Sequence, residues 1–159
     1  MTTIHLHEAQ PDHADHILAV LVAAFEQYRD QLDPPSGVFR ETAADIRQKL
    51  ARGGGFVACD EQRIIGAVLY QAHPDYMYLG RLAVLPDYRG QHIATRLITQ
   101  VEQQALVRQL ATVRLNVRLS LTGNQRFFHS VGYTITDYCC HENYTEFTYV
   151  TMEKKLTLA

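Results

Sequence analysis

The chain switches between two hydrophobic periods, and the switches mark out its elements. Ile4 to His7 is a short strand candidate. Pro11 and Asp12 open a helix, because proline suits the first helical position, and Ile17, Val20, Leu21, Ala24, Phe25 and Tyr28 form its apolar face. Asp33-Pro34-Pro35-Ser36-Gly37 breaks the chain into a loop. A second helix starts near Thr42, with Asp45 completing a variant capping box, runs to about Leu50 and is ended by Gly53-Gly54-Gly55. Phe56 to Cys59 and Ile64 to Gln71 read as a hairpin across the polar turn Asp60 to Arg63. A further strand follows His73-Pro74-Asp75 and ends at Pro86, which cannot donate to a ladder. Ile93, Leu97, Val101 and Ala105 then recur every four residues, a helical stripe. Val113, Leu115 and Val117 alternate with polar residues, a strand with one buried face. Thr122-Gly123-Asn124 reads as a turn before a short helix, Gln125 to Ser130; Val131-Gly132-Tyr133 leads to another strand. A polar segment, His141 to Glu146, precedes a last strand, Phe147 to Lys154. Strand and helix runs in this order predict a mixed sheet covered by helices, in a single domain spanning residues 1–159.

The stretch Tyr78 to Thr95 organises the rest: strand, turn, helix start. Arg89 and Gly90 sit where the helix begins. The first turn of a helix leaves N–H groups unpaired at the positive end of the dipole, so a small, basic junction there suits an anion, phosphate above all.

Composition narrows the function classes. With 159 residues there is enough chain for a real core. A formal net charge of −2 gives no basic surplus for nucleic acid, and no apolar run is long enough for a membrane span. Met1-Thr2-Thr3-Ile4-His5 lacks the basic and apolar regions of a signal peptide. Cys59, Cys139 and Cys140 form an odd set without metal spacing, which points to a reducing, cytoplasmic setting. The eight histidines show no HExxH-like spacing, so no metal is expected.

The run Arg89-Gly90-Gln91-His92-Ile93-Ala94 resembles the cofactor loop of the GNAT acetyltransferase superfamily: Gln or Arg, two residues, Gly, one residue, then Gly or Ala. His92 stands at the central glycine. Leu82 to Pro86 resembles the strand that bulges and splays from its neighbour in that family, and Gly123 to Tyr133 resembles its last helix, with an Asn and aromatics before a Gly-aromatic pair. The resemblance implies a GNAT-like acyl-CoA N-acyltransferase fold, an α/β architecture with a central, mostly antiparallel sheet flanked by helices. It also implies acetyl-CoA as co-substrate, with strand amides (Leu82, Ala83, Val84) on the pantetheine arm, loop and helix-start amides (Arg89, Gly90, Gln91, His92, Ile93, Ala94, Thr95) on the pyrophosphate, and Asn124 either on the pantetheine arm or as a helix N-cap. His92 with ordinary helical φ would still offer its N–H to a phosphate.

Acetyl transfer to an amine needs proximity, a neutral amine, a donor for the carbonyl oxygen and a proton for the leaving thiolate. The Val84 N–H, or that of a neighbour on the splayed strand, is the candidate donor. Many family members carry an acid tyrosine four residues before the Gly-aromatic pair; here that position is Phe128, which has no proton to give. Tyr133, Tyr138, Tyr144 and His141 are the substitutes, with Tyr144 and His141 favoured because their polar segment could face a cleft. Tyr78, six residues before Val84, shares its face if the strand is regular and either packs in the core or positions substrate. Glu41, Tyr28 and Arg29 either line an acceptor pocket or serve as an exposed helix-end charge and a core aromatic; Phe127 reads as core. The function expected is acetyl transfer to a primary amine of a small molecule or peptide by direct attack in a ternary complex. The alternative is a non-catalytic acyl-CoA-binding sensor or assembly domain, for which Phe128 and His92 argue. The exposed edge of the final strands is compatible with a homodimer.

Overall fold

The computed structural model describes residues 3–158. Met1 and Thr2, part of the stretch read as lacking a leader, and Ala159 lie outside the described residues. Seven strands form one sheet: β1 (Ile4–Glu8), β2 (Gly54–Asp60), β3 (Arg63–Ala72), β4 (Met77–Val84), β5 (Thr112–Arg118), β6 (Thr134–Cys139) and β7 (Tyr149–Lys155), in the order β1-β2-β3-β4-β5-β7-β6. All neighbours are antiparallel except β4 and β5. That pair is parallel because a helix, α3 (Ile93–Val107), carries the chain back across the sheet between them. The other helices are α1 (Ala14–Phe25), α2 (Ala43–Arg52) and α4 (Thr122–Ser130).

The sheet is covered on both faces. Ile93, Leu97, Val101 and Ala105 of α3 pack on one side with Phe56, Val68 and Leu79; α1 and α2 bring Ile17, Leu21, Ile46 and Leu50 to the other, against Val57, Ala67 and Leu69. Double coverage explains why β2 and β3 read as nearly continuous apolar runs and not as alternating ones. The capping box at α2 forms as expected: Asp45 N–H donates to Thr42 Oγ1 at 3.2 Å and Thr42 N–H to Asp45 Oδ2 at 2.9 Å. One three-residue 3-10 turn, Pro11–His13, precedes α1.

Two features of β4 differ from the regular strand expected. First, its register with β3 slips between Ala67 and Leu69, and Arg81 sits at the slip with φ 51°. This is a bulge, which adds one residue and reverses the alternation. Met77, Leu79 and Val84 therefore all reach the α3 side, although Val84 is an odd number of residues from the other two, and Ala83 turns to the α1 side. Tyr78 and Val84 do not share a face. Second, β4 meets β5 only at Met77–Val113 and Tyr78–Arg114. Beyond those pairs the two strands part and leave a wedge in the middle of the sheet.

Candidate active site

The wedge is floored by β4 and β5 and roofed by α4 and the loop before α2. Leu85 N–H donates to Ile65 O at 2.8 Å. In an antiparallel ladder the next residue along turns its N–H the other way, so Val84, opposite Gly66, directs its N–H away from β3 and toward the gap that β5 has vacated. A fixed backbone donor in a gap of this kind has no partner of its own in the sheet.

After β4 a single 3-10 turn, Pro86–Tyr88, is tied to the end of β2 by the Tyr88 hydroxyl, which donates to Asp60. Arg89 Nη2 donates to Ala24 O at 3.2 Å, joining the loop to the end of α1. Gly90 and His92 both take left-handed backbone conformations, φ 77° and φ 60°. His92 does not take an ordinary helical φ: it keeps the conformation glycine would take and caps α3 with an exposed side chain that makes no capping hydrogen bond. The first-turn N–H groups of Ile93, Ala94 and Thr95 thus have no side-chain cap, and by helix geometry no partner within the helix.

Two cavities open along the wedge, and one of them reaches this loop. One, of about 340 Å³, lies between the end of α1, β4 and α4, and is lined by Leu82, Ala83, Val84, Arg89, Ala94 and Phe127, among others. The other, of about 510 Å³, lies between the parted strands and the loop before α2, and is lined by Tyr78, Arg81, Asn116, Arg118, His141 and Tyr149, among others. They meet at Phe25, Leu82, Asn124 and Phe128, which line both. The smaller cavity therefore extends from the start of α3 along the side of β4, and a second chamber adjoins it across these four side chains.

The candidates from the sequence separate on this map. Helix α4 begins at Thr122 with Leu121 as its N-cap, so Asn124 is inside the helix and is not a cap; it lines both cavities. Phe127 is half-buried: it packs against the core, as expected, and also lines the smaller cavity. Phe128 stands at the junction, its ring 5.2 Å from Phe127 and 6.0 Å from Tyr133. Tyr133 is fully buried and donates its hydroxyl to Glu102 at 2.9 Å, and Tyr138 is on the edge strand β6 beside Phe147; neither lines a cavity. Tyr144 donates to Asp33 at the rim and is not among the lining residues of either cavity. His141 does line the larger one. Its Nδ1 is hydrogen-bonded to the Thr148 hydroxyl, and burial together with the nearby Arg118 charge lowers its pKa. Tyr28 lines the smaller cavity, whereas Arg29 pairs with Glu26 at 2.7 Å and stacks on Phe39 at 4.0 Å. Glu41 is no exposed helix-end charge: its side chain is 7% exposed and holds Arg81 and Lys49.

Sequence reasoning did not single out Asn116, Arg118 or Tyr149. Asn116 and Arg118 occupy the polar positions of β5, which read as a solvent face. Because β4 has moved away, that face is the wall of the chamber. Burial raises the pKa of both Tyr78 and Tyr149, so both keep their hydroxyl protons at neutral pH. Arg118 Nη1 and Nη2 donate to Pro34 O at 2.6 Å and Pro35 O at 3.3 Å, which fixes the roof loop to the floor. Gln125 Nε2 donates to Leu119 O at 2.9 Å and anchors α4 beside them.

The model of the acetyltransferase (GNAT) family matches residues 20–133. The chain belongs to that family. Its CoA-dependent acyl transfer is therefore the chemistry in which the wedge and the α3 loop are to be read. No curated protein matches the sequence. Among solved structures, the GNAT chain is similar to the PaiA N-acetyltransferase of Thermoplasma acidophilum in complex with coenzyme A, at 15% identity over 96% of this chain and 99% of that one, with a TM-score of 0.82. It is similar to the ribosomal-protein-S18-alanine N-acetyltransferase of Escherichia coli, at 17% identity over 99% and 96% of the two chains, TM-score 0.77. It is also similar to a GNAT family acetyltransferase of Elizabethkingia anophelis with acetyl-CoA bound, at 18% identity over 96% and 98%, TM-score 0.69. At these identities the likeness is one of fold. Among the described residues no cluster of His, Cys, Asp and Glu could hold a metal, and no helix is long and apolar enough to cross a membrane.

Proposed function

We propose that this single domain transfers an acetyl group from acetyl-CoA to a primary amine of a small molecule or peptide, by direct attack in a ternary complex. The observation that carries the reading is the junction of the two cavities in the wedge between β4 and β5. The smaller one suits a pantetheine arm laid along Leu82, Ala83 and Val84, with Asn124 beside it. The loop from Arg89 to Thr95 would hold the pyrophosphate through its backbone N–H groups, Gly90, Gln91, His92, Ile93 and Ala94 among them. The larger cavity would hold the amine. Bringing the two together can supply roughly 7–11 kcal/mol of the barrier.

In the step itself the amine nitrogen bonds to the thioester carbonyl carbon, the C–S bond breaks, and the carbonyl oxygen carries the passing negative charge. Val84 N–H is the donor for that oxygen. His141, held neutral by burial and by Arg118, takes the proton from the ammonium form of the acceptor through its second ring nitrogen. The CoA thiolate is a good leaving group and needs only a weak proton source; the proton shed by the new amide nitrogen balances the one the thiolate takes up, so a hydroxyl that gives its proton to the sulfur recovers one from the nitrogen. Tyr149, whose ring is 4.9 Å from that of His141 in the same chamber, is better situated for this than Tyr144, whose hydroxyl serves Asp33. Tyr144 then acts as a rim residue that steadies the loop before α2. The unpaired cysteines favour a cytoplasmic setting. Nucleic acid and membrane are not expected partners, and β6, at the sheet edge, is the strand through which a homodimer would pair.

Phe128 at the junction favours a non-catalytic acyl-CoA sensor, since an inert ring stands where the family's acid tyrosine would be, whereas His92 argues for it less once it keeps the glycine conformation. Thiol release from acetyl-CoA across an amine panel separates the readings. Turnover with any amine supports the transferase, whereas tight acetyl-CoA binding with no release across the panel supports the sensor.

A further inference from the structure

The chamber beyond the junction is cationic. Arg40, Arg81 and Arg118 line it, with the neutral imidazole of His141, and no Asp or Glu side chain does. Arg81 already has a counter-ion in Glu41, at 2.9 Å. Arg118 does not. It is half-buried, its two terminal nitrogens donate only to the carbonyls of Pro34 and Pro35, and it has no ion-pair partner among the described residues. Asp33 is near enough to favour its charge, but the Asp33 carboxylate accepts from Tyr144 instead. A guanidinium has five N–H donors in a planar fork, so Arg118 keeps donors for a planar anion. Arg40, exposed at the rim and without an ion-pair partner among the described residues, adds a second positive charge on the same side. Withdrawing a cation from water without a counter-charge is costly, and a ligand that supplies the anion recovers that cost.

We infer that the acceptor is an amine that also bears a carboxylate, and that Arg118 is the residue that selects it, with Arg40 assisting at the mouth. This rests on the acceptor-chamber reading above and narrows it to a substrate class. A cavity of about 510 Å³ is of the size that takes small molecules. The same positive field serves the chemistry, because cations around an ammonium group lower its pKa and enlarge the neutral, nucleophilic fraction. A polyamine would meet the opposite situation: several positive charges and no acid on the wall to receive them.

The test uses matched pairs that differ only in the carboxylate: L-methionine with 3-(methylthio)propylamine, L-phenylalanine with 2-phenylethylamine, and L-lysine with 1,5-diaminopentane. Thiol release from acetyl-CoA gives kcat/KM for each. A preference of roughly 10–100-fold for the carboxylated member of at least one pair, carried by KM, is expected from one charge-assisted, bidentate contact. Arg118→Gln should erase it, Arg118→Lys should keep part of it, and Arg40→Gln, which leaves the Pro34–Pro35 loop untouched, should reduce it. Acetyl-CoA affinity should stay as in the wild type in all three, which also reports that each variant is folded. Turnover with equal or reversed preference overturns this inference and leaves acetyl transfer standing. If acetyl-CoA binds and no amine is turned over, the transferase reading fails, and calorimetric titration of the same pairs into the CoA-bound protein decides the inference separately. Tighter binding of a carboxylated member, lost in Arg118→Gln, sustains it; parity, or no binding by any carboxylated member, overturns it.

Discussion

Glu41 grips Arg81 across 40 residues of sequence, with Arg81 Nε donating to Oε1 at 2.9 Å and Nη2 to Oε2 at 3.2 Å. Arg81 is the residue at the β4 bulge, held with φ 51°. A non-glycine residue there needs its surroundings to hold it, and the bidentate pair does so. Burial pushes the Glu41 carboxyl up, but hydrogen bonds from Arg81 and Lys49 outweigh burial and bring it below the ordinary carboxylate range. Its contribution to stability is therefore present above the unfolded pKa and is lost as pH falls through the folded one. Glu41→Gln should cost about 1–3 kcal/mol near pH 7, and the gap to wild type should narrow in acid below the ordinary carboxylate pKa. Urea unfolding across pH checks this; a gap that stays constant would mean that Glu41 does not hold the bulge by its charge.

Gly90 allows charge and backbone strain to be told apart. A Cβ there would meet nothing within 4 Å, yet φ is 77°. Gly90→Ala brings strain of about 1–2 kcal/mol without charge, and Gly90→Asp brings a residue that tolerates this conformation better but carries a negative charge. If the loop receives the pyrophosphate, Asp should weaken acetyl-CoA binding by about tenfold more than Ala does, while unfolding less easily than the Ala variant. Equal affinities in calorimetry would move the pyrophosphate elsewhere.

His92 supplies a third test, from the same backbone region. With φ 60° and an exposed side chain that caps nothing, it has little to lose on replacement by glycine. His92→Gly should leave stability within about 1 kcal/mol of wild type, because relief of the left-handed conformation offsets the added chain entropy. His92→Val, branched at Cβ, should be destabilised by more than the glycine variant and should bind acetyl-CoA less well. Equal melting temperatures for the two would show that the backbone at 92 relaxes freely.

What could be read from the sequence, and what could not, follows from the range of the interactions involved. The α2 capping box, the α3 stripe and the order of strands and helices depend on residues within a turn or two of each other, and all are present. The bulge at Arg81 is met by Glu41 from far away in the chain, and no local pattern marks it, so a two-residue period carried through β4 put Tyr78 and Val84 on one face when they are not. The polar alternates of β5 read as solvent-facing because the pattern reports only that one face is apolar; it cannot report that a neighbouring strand has departed and left Asn116 and Arg118 facing a chamber. The same limit hid Tyr149. Thr122 to Asn124 contains glycine and looked like a turn, but Gln125 and the end of β5 hold it as the first turn of α4.

His141 carries the pH dependence. Burial first, and the Arg118 charge second, hold its imidazole below the ordinary value of about 6.5, so it is neutral at pH 7. A base must be unprotonated, so kcat should rise with pH through an acid limb whose midpoint lies below that ordinary value. Arg118→Gln removes one of the two causes, and the midpoint should move up without reaching the unperturbed value, since burial remains. His141→Gln should abolish the limb and lower kcat by roughly 10²–10⁴-fold. The stability of the fold has the same sign: the unfolded chain binds the proton first as pH drops, so this group contributes a loss of stability below the ordinary imidazole pKa and none above it. Measuring kcat with two acceptors of different basicity separates the residue from the substrate, because a limb that belongs to His141 stays in place when the amine changes. A limb that follows the amine, or survives in His141→Gln, would remove His141 as the base and leave the acceptor to lose its proton to water.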